Sequence, residues 1–187
     1  METDLVTRAR SGDHGAFSEI VASIARRFHG LAYAILRDRT LAEDAAQAAM
    51  VAVWRDLPRL RDPRRFDAWA YRVLVNACYR EGRRARWRGV EWQEALAKPA
   101  TTDDELHTVL DRDEIEHGFR QLSVEHRTAL VAHYYLDLPS DEAADMLGIP
   151  LGTYKSRLHR ANEAMRAALE ADARPISGKA SMAGGVR

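Results

Sequence analysis

The chain has 187 residues, enough for one ordinary domain or two small ones. Hydrophobic residues make up 46 % and charged residues 30 %, a globular rather than a disordered composition. Lys+Arg and Asp+Glu both total 28, so the net charge is zero, but the charges are segregated along the chain. No apolar run approaches the roughly 18 residues needed to cross a membrane. The start, Met1-Glu2-Thr3-Asp4, carries acid and no apolar stretch of the signal-peptide kind, so a cytoplasmic protein is expected. One cysteine, Cys78, excludes an internal disulfide framework and a multi-cysteine zinc site.

Apolar residues recur at three- and four-residue spacing nearly throughout, which predicts an all-α protein. A first helix is expected from Asp13, with Phe17, Ile20, Val21 and Ile24 on one stripe. A second runs from His29 to Leu36. A third starts at Thr40, where Thr40-Leu41-Ala42-Glu43 fits a capping box, and stops near Leu57 before Pro58. The loop Pro58 to Arg65 holds two prolines and four arginines. A fourth helix is expected from about Phe66 to Arg86, weakened at Gly82. A Pro- and Thr-containing acidic stretch follows and reads as a flexible linker. Helical periodicity resumes near Asp113 with Ile115, Phe119 and Leu122. Ser123 is placed to cap the next helix, which carries Leu130, Val131, Tyr134 and Tyr135. Ser140 is placed to cap a short helix ending at Leu147, and a longer helix runs from about Gly152 to Ala171. The expected organisation is therefore two small helical domains, residues 1–88 and 113–171. An acidic linker at 89–112 joins them, and a Gly-, Ser- and Ala-rich tail at 172–187 reads as disordered.

The charge map points to nucleic acid. From Arg55 to Arg88 there are eleven arginines against four acids, a charge of +7, whereas residues 91–116 carry −7. The basic segment also holds Trp54, Phe66, Trp69, Tyr71, Tyr79 and Trp87. Guanidinium groups neutralise phosphates, and aromatic faces stack on unpaired bases. A solvated basic helix face over an aromatic core accounts for the same residues. The opposed acidic segment could cover the basic face when nucleic acid is absent.

The strongest local signal spans Ser140 to Leu158: a short helix, Gly148 at a turn position that favours glycine, and a longer helix. This is a helix-turn-helix. On a helical wheel Tyr154, Leu158, Ala161 and Met165 share the core side. Lys155, Ser156, His159 and Arg160 face the other way, near the helix start, where this motif contacts base edges in the major groove. A plain helical hairpin with a basic face is the alternative.

Together these segments resemble the bacterial RNA polymerase sigma factors of the extracytoplasmic-function group. The resemblance rests on Gly12-Asp13-His14-Gly15-Ala16-Phe17, Ala42-Glu43-Asp44-Ala45-Ala46-Gln47, Trp54, Arg65-Phe66-Asp67-Ala68-Trp69 and Asn76. It continues through Leu122, Arg127, Glu142-Ala143-Ala144 and the run Gly152 to Ala161. It implies two helical domains that bind core RNA polymerase, through the clamp helices of the largest subunit and through the flap, and that read promoter DNA. Asp44, Gln47, Met50 and Trp54 would face polymerase. Arg61, Arg64, Arg65 and Phe66 fall in the segment that captures an unpaired minus-ten base. Arg72, Asn76, Arg80, Arg83 and Arg84 lie on the helix beside the opened strand. Thr153, Lys155, Ser156, Arg157, His159 and Arg160 would read the minus-thirty-five element. An anti-sigma factor is a further implied partner. Two departures stand out. Arg80 occupies a position that is commonly Asp in the family, which bears on minus-ten preference. Tyr154 replaces a small aliphatic residue, which bears on packing under the recognition helix.

No catalytic constellation is present in the sequence. No two of the seven histidines are three or four apart, and Gly178-Lys179-Ala180-Ser181 lacks the rest of a phosphate-binding loop. Cys78 reads as a small core residue. The reading is an alternative sigma factor, not an enzyme, with no cofactor and no metal. It needs no small-molecule substrate and no direct membrane insertion. A freestanding helix-turn-helix regulator and a sigma-mimicking interaction module are the alternatives.

Overall fold

The computed structural model describes residues 1–87 and 113–172. The expected linker at 89–112 and tail at 172–187 lie, but for the backbone of residue 172, outside the described residues. Every regular element described is helical. In chain order these are α1 (Thr3–Arg10), α2 (His14–Leu36), α3 (Arg39–Asp56), α4 (Phe66–Trp87), α5 (Asp113–Gln121), α6 (Val124–Leu130), α7 (Ser140–Leu147) and α8 (Leu151–Asp172). Two short 3-10 turns, Leu57–Arg59 and Pro63–Arg65, connect α3 to α4, and a π turn, Val131–Tyr135, extends α6.

The first two expected helices are one. Ile24, Phe28, Leu31 and Ile35 form a continuous buried stripe through His29 and Gly30. A glycine inside a helix costs about 1 kcal/mol, and burying both halves of the stripe offsets it. Asp13 caps this helix, its Oδ1 accepting from the Ala16 amide at 3.0 Å. That amide, with Arg8 beside it, holds the Asp13 carboxyl below the usual carboxylate range. At the far end Arg37 adopts a left-handed conformation, φ 55°, and its N–H donates to the Tyr33 carbonyl.

The capping box expected at Thr40 is not used. Asp38 caps α3, its Oδ1 accepting from the Leu41 amide at 2.8 Å. A carboxylate there also meets the positive end of the helix dipole. The α3 helix then lays Ala42, Ala45, Ala46, Ala49 and Ala52 against α2 and α4, all buried. Small side chains on this face let three backbones approach closely. The α4 helix runs unbroken through Gly82, where weakening was expected, because Gly82 is buried between Leu36 and Val124.

In the second group, α5, α6 and α7 pack on α8. Ser123 caps α6 as expected, accepting from the His126 amide. Ser140 does not cap α7; it is the first residue of that helix, Pro139 precedes it, and no side chain caps it. Tyr134, expected on the helix that Ser123 caps, falls in the π turn and is 67 % exposed. The π turn places an extra residue in the helix and rotates the side chains that follow it. Gly148 holds the left-handed turn between α7 and α8 at φ 66°.

The largest core is continuous across both groups. It runs from Val6, Ile20, Phe28, Leu36, Val53, Phe66 and Leu74 to Phe119, Leu122, Val124, Leu130 and Ala161. A smaller cluster of Ala129, Ala132, Ala143, Ala144, Met146 and Tyr154 lies under the helix-turn-helix, and Tyr71 of α4 touches both. Cys78 is fully buried, and burial pushes its thiol up to about 12, so it is an inert core residue.

Candidate nucleic-acid and protein interfaces

Three exposed surfaces carry the residues singled out from the sequence. The first is on α3. Asp44, Gln47 and Trp54 are exposed and fall on one side of the helix, while Met50 is half-buried and packs on the core. Val51 completes the stripe and is 60 % exposed, the most exposed large aliphatic residue on this helix. It was missed from sequence because an isolated valine in an alanine-rich helix reads as core. Its spacing, four after Gln47 and three before Trp54, carries the signal. The Trp54 ring is 39 % exposed, with centroids 4.4 Å from Phe17 and 5.1 Å from His14. These two rings from α2 hold the indole in place while leaving part of it open to a partner.

The second surface is the loop before α4 and the outer face of α4. Arg61, Arg64 and Arg65 are exposed. Asp62 organises the loop: it accepts from the Arg64 amide at 3.0 Å and pairs with the Arg64 guanidinium at 3.0 Å. The guanidinium and amide of Arg64 together hold the Asp62 carboxyl below the usual range. Phe66 departs from the expectation that it contacts DNA. As the first residue of α4 it turns inward, is 1 % exposed and packs near Trp69, so its ring is not offered to a base. On α4, Arg72, Asn76, Arg80, Arg83 and Arg84 are all exposed. At helical periodicity they fall within an arc of about 120°. Arg84 is tied to the buried carboxylate of Glu81 at 3.1 Å. Arg72 reaches across to the helix-turn-helix: its guanidinium Nη2 lies 2.9 Å from where a Cβ on Gly148 would stand. Gly148 is required by its backbone angle, φ 66°, whereas the exposed end of Arg72 is free to swing aside.

The third surface is the start of α8. Thr153, Lys155, Ser156, His159 and Arg160 are exposed on the outer face. Ser156 donates to the Thr153 carbonyl at 3.0 Å, and His159 lies 3.4 Å from Glu163. Arg157 departs from this set. It is half-buried and lies near Tyr79 of α4, where its charge acts on the phenol. The core side of α8 is as the wheel requires, with Tyr154 and Ala161 fully buried.

The Tyr154 ring fills the small core under the motif, and its hydroxyl donates to the Ala129 carbonyl of α6 at 3.3 Å. Burial raises its phenol, so it stays neutral at physiological pH. Tyr154→Phe should cost about 1 kcal/mol, the usual value of one such bond. A urea-denaturation midpoint would check this, and an unchanged midpoint would assign the ring's contribution to packing alone.

Arg127, one of the sequence landmarks, is almost fully buried, and its Nη1 donates to the Phe119 carbonyl at 3.5 Å. Burial, with Arg37 nearby, lowers its guanidinium to about 10, so it remains charged at neutral pH. It is a structural cation tying α6 to the end of α5. No group of three or more metal-ligating side chains exists among the described residues. No described helix is long and apolar enough to cross a membrane.

Sigma-70 region 2 matches residues 20–88, and Sigma-70 region 4 matches residues 112–165. RNA polymerase sigma-H factor of Pseudomonas aeruginosa is 30 % identical over 90 % of this chain and 94 % of its own length. The extracytoplasmic-function sigma factor SigW of Bacillus subtilis is 27 % identical over 86 % of this chain and 92 % of its own. Among solved structures, the sigma factor RpoE in complex with the anti-sigma factor NepR from Bartonella quintana superposes with a TM-score of 0.67. That match is 23 % identical and covers 83 % of this chain and 98 % of the other. An all-helical chain with a buried-Tyr helix-turn-helix, an arginine-lined helix and these matches in this order belongs to one family: it is an RNA polymerase sigma factor of the extracytoplasmic-function group, which directs polymerase to promoters.

Proposed function

We propose that the three exposed surfaces divide the work of promoter recognition. The α3 stripe of Asp44, Gln47, Val51 and Trp54 docks on core polymerase. It has the form of an interface centre: an aromatic anchor and an aliphatic residue inside a polar border. The arginines of the loop and of α4 line the opened minus-ten strand, where cationic contacts offset the few kcal/mol needed to unstack a base. Lys155, Ser156, His159 and Arg160 read the minus-thirty-five element from the major groove. Met50 and Phe66 serve these surfaces from the core side, and Arg157 braces α8.

The observation that carries this reading is the separation of the surfaces on different helices. One is suited to protein and two to DNA, so no surface has to serve two partners. Two modest DNA contacts held on one polymerase gain by effective concentration rather than by individual affinity. The protein itself does no chemistry; polymerase does. The proposed place of action is the cytoplasm, where polymerase and promoter meet. An anti-sigma factor is the proposed regulator, as in the RpoE–NepR complex. The test is run-off transcription with sigma-free core polymerase and a library of promoter fragments. Discrete starts that need the protein are expected. Polymerase binding without a transcript would favour a sigma mimic. Tight duplex binding without polymerase would favour a freestanding regulator.

A further inference from the structure

The two groups of helices are not separate in this structure. Glu116, on α5, reaches the far end of α2. Its Oε1 lies 2.7 Å from Arg37 Nη2, accepts from the Tyr33 hydroxyl at 3.1 Å and from Arg120 Nη2 at 3.0 Å. The Arg37 side chain is only 2 % exposed. Its guanidinium lies over the rings of Tyr33, at 4.6 Å, and Phe119, at 5.9 Å. Burial alone would raise the Glu116 carboxyl, but the two cations and the phenol outweigh it and hold it below the usual range. Around this cluster Gly82 of α4 meets Val124 of α6, and Arg72 of α4 meets Gly148 in the turn between α7 and α8.

The Arg37 Nε is buried at this interface without a hydrogen-bond partner. It gives up hydration on closure and regains it on opening, so the interface sets one unmet polar group against a strong ionic cluster.

Resting on the proposed promoter roles, closure and promoter binding exclude each other. Elements centred about 25 base pairs apart are about 85 Å apart on a straight duplex. Arg72, from the minus-ten helix, here touches the turn of the helix-turn-helix. One conformation cannot satisfy both.

We infer that Glu116 is an intramolecular latch, which holds the C-terminal helices on the N-terminal ones in the free chain and must release before polymerase can spread them along a promoter. Glu116, the last residue of the acidic segment, thus pairs with Arg37 of α2.

Two variants test the latch. Glu116→Gln keeps the size and an acceptor for Tyr33 but leaves the buried Arg37 charge uncompensated. It should enlarge the free chain in small-angle scattering. It should also raise apparent affinity for core polymerase by about 10-fold, since affinity scales with the open fraction. Wild-type scattering and wild-type affinity for this variant would overturn the latch. The second variant pairs Gly82→Cys with Val124→Cys in a Cys78→Ala background. Oxidation should lock the chain closed and abolish polymerase-dependent starts, and a reductant should restore them. A crosslinked chain as active as its reduced form would sink the latch alone. A wild-type chain that gives no start with any promoter would instead sink the promoter reading, and the latch with it.

Discussion

Replacing Lys155 and Arg160 by alanine is expected to abolish most of the upstream promoter contact while leaving the fold intact. Both side chains are exposed at the start of α8, and neither supports the core. Each cationic contact to a guanine edge is worth about 1–3 kcal/mol of discrimination, so losing both predicts a drop of more than about 30-fold at promoters that depend on the upstream element. The check is abortive initiation from matched promoters with and without that element, with circular dichroism to confirm folding. The loss should be confined to promoters that carry the element. Equal activity of the double variant on both would show that α8 does not read the minus-thirty-five sequence.

Trp54→Ala is expected to weaken core polymerase binding by about 2 kcal/mol or more, the range of an interface anchor. The argument is geometric. The indole is held by Phe17 and His14 and so loses little freedom on docking, yet 39 % of it remains open. Val51→Ala should give a smaller loss on the same stripe. A competition assay against labelled sigma factor on core enzyme measures both. If Trp54→Ala lowers thermal stability but leaves polymerase affinity unchanged, the ring is only a lid on Phe17, and the α3 stripe is not the docking surface.

Much of this architecture is legible in the sequence, and the reasons differ by element. The helix-turn-helix is readable because a glycine at the turn and a one-sided wheel after it are local signals, and they placed Tyr154 and Ala161 inside and Lys155 and Arg160 outside. The arginine face of α4 is readable for the same reason. What failed was of three kinds. Short elements fall below the reach of periodicity: α1 buries only Val6 and Ala9 and left no stripe to find. Competing caps are the second kind, since Asp38 and Thr40 both satisfy cap rules and only the three-dimensional backbone selects one. The third kind is tertiary, as in the inward turn of Phe66 and the Glu116–Arg37 contact. No window of sequence pairs residues that lie 79 positions apart. Val51 belongs between these cases, because its spacing was available but its exposure was not.

The π turn at Val131–Tyr135 has a geometric meaning for the whole C-terminal half. One added residue advances everything after it by about 100° around the helix axis, so the turn acts as a phase setting. It sends the Tyr134 ring outward, where its hydroxyl meets Asn162 of α8 at 3.2 Å, while Leu138 donates back to the Ala132 carbonyl at 3.1 Å to close the turn. A chain one residue shorter here would keep its composition and most of its apolar pattern, yet α7 would leave at a different azimuth. The angle at which the recognition helix is presented is thus encoded upstream of the motif itself, in a count of residues rather than in any side chain.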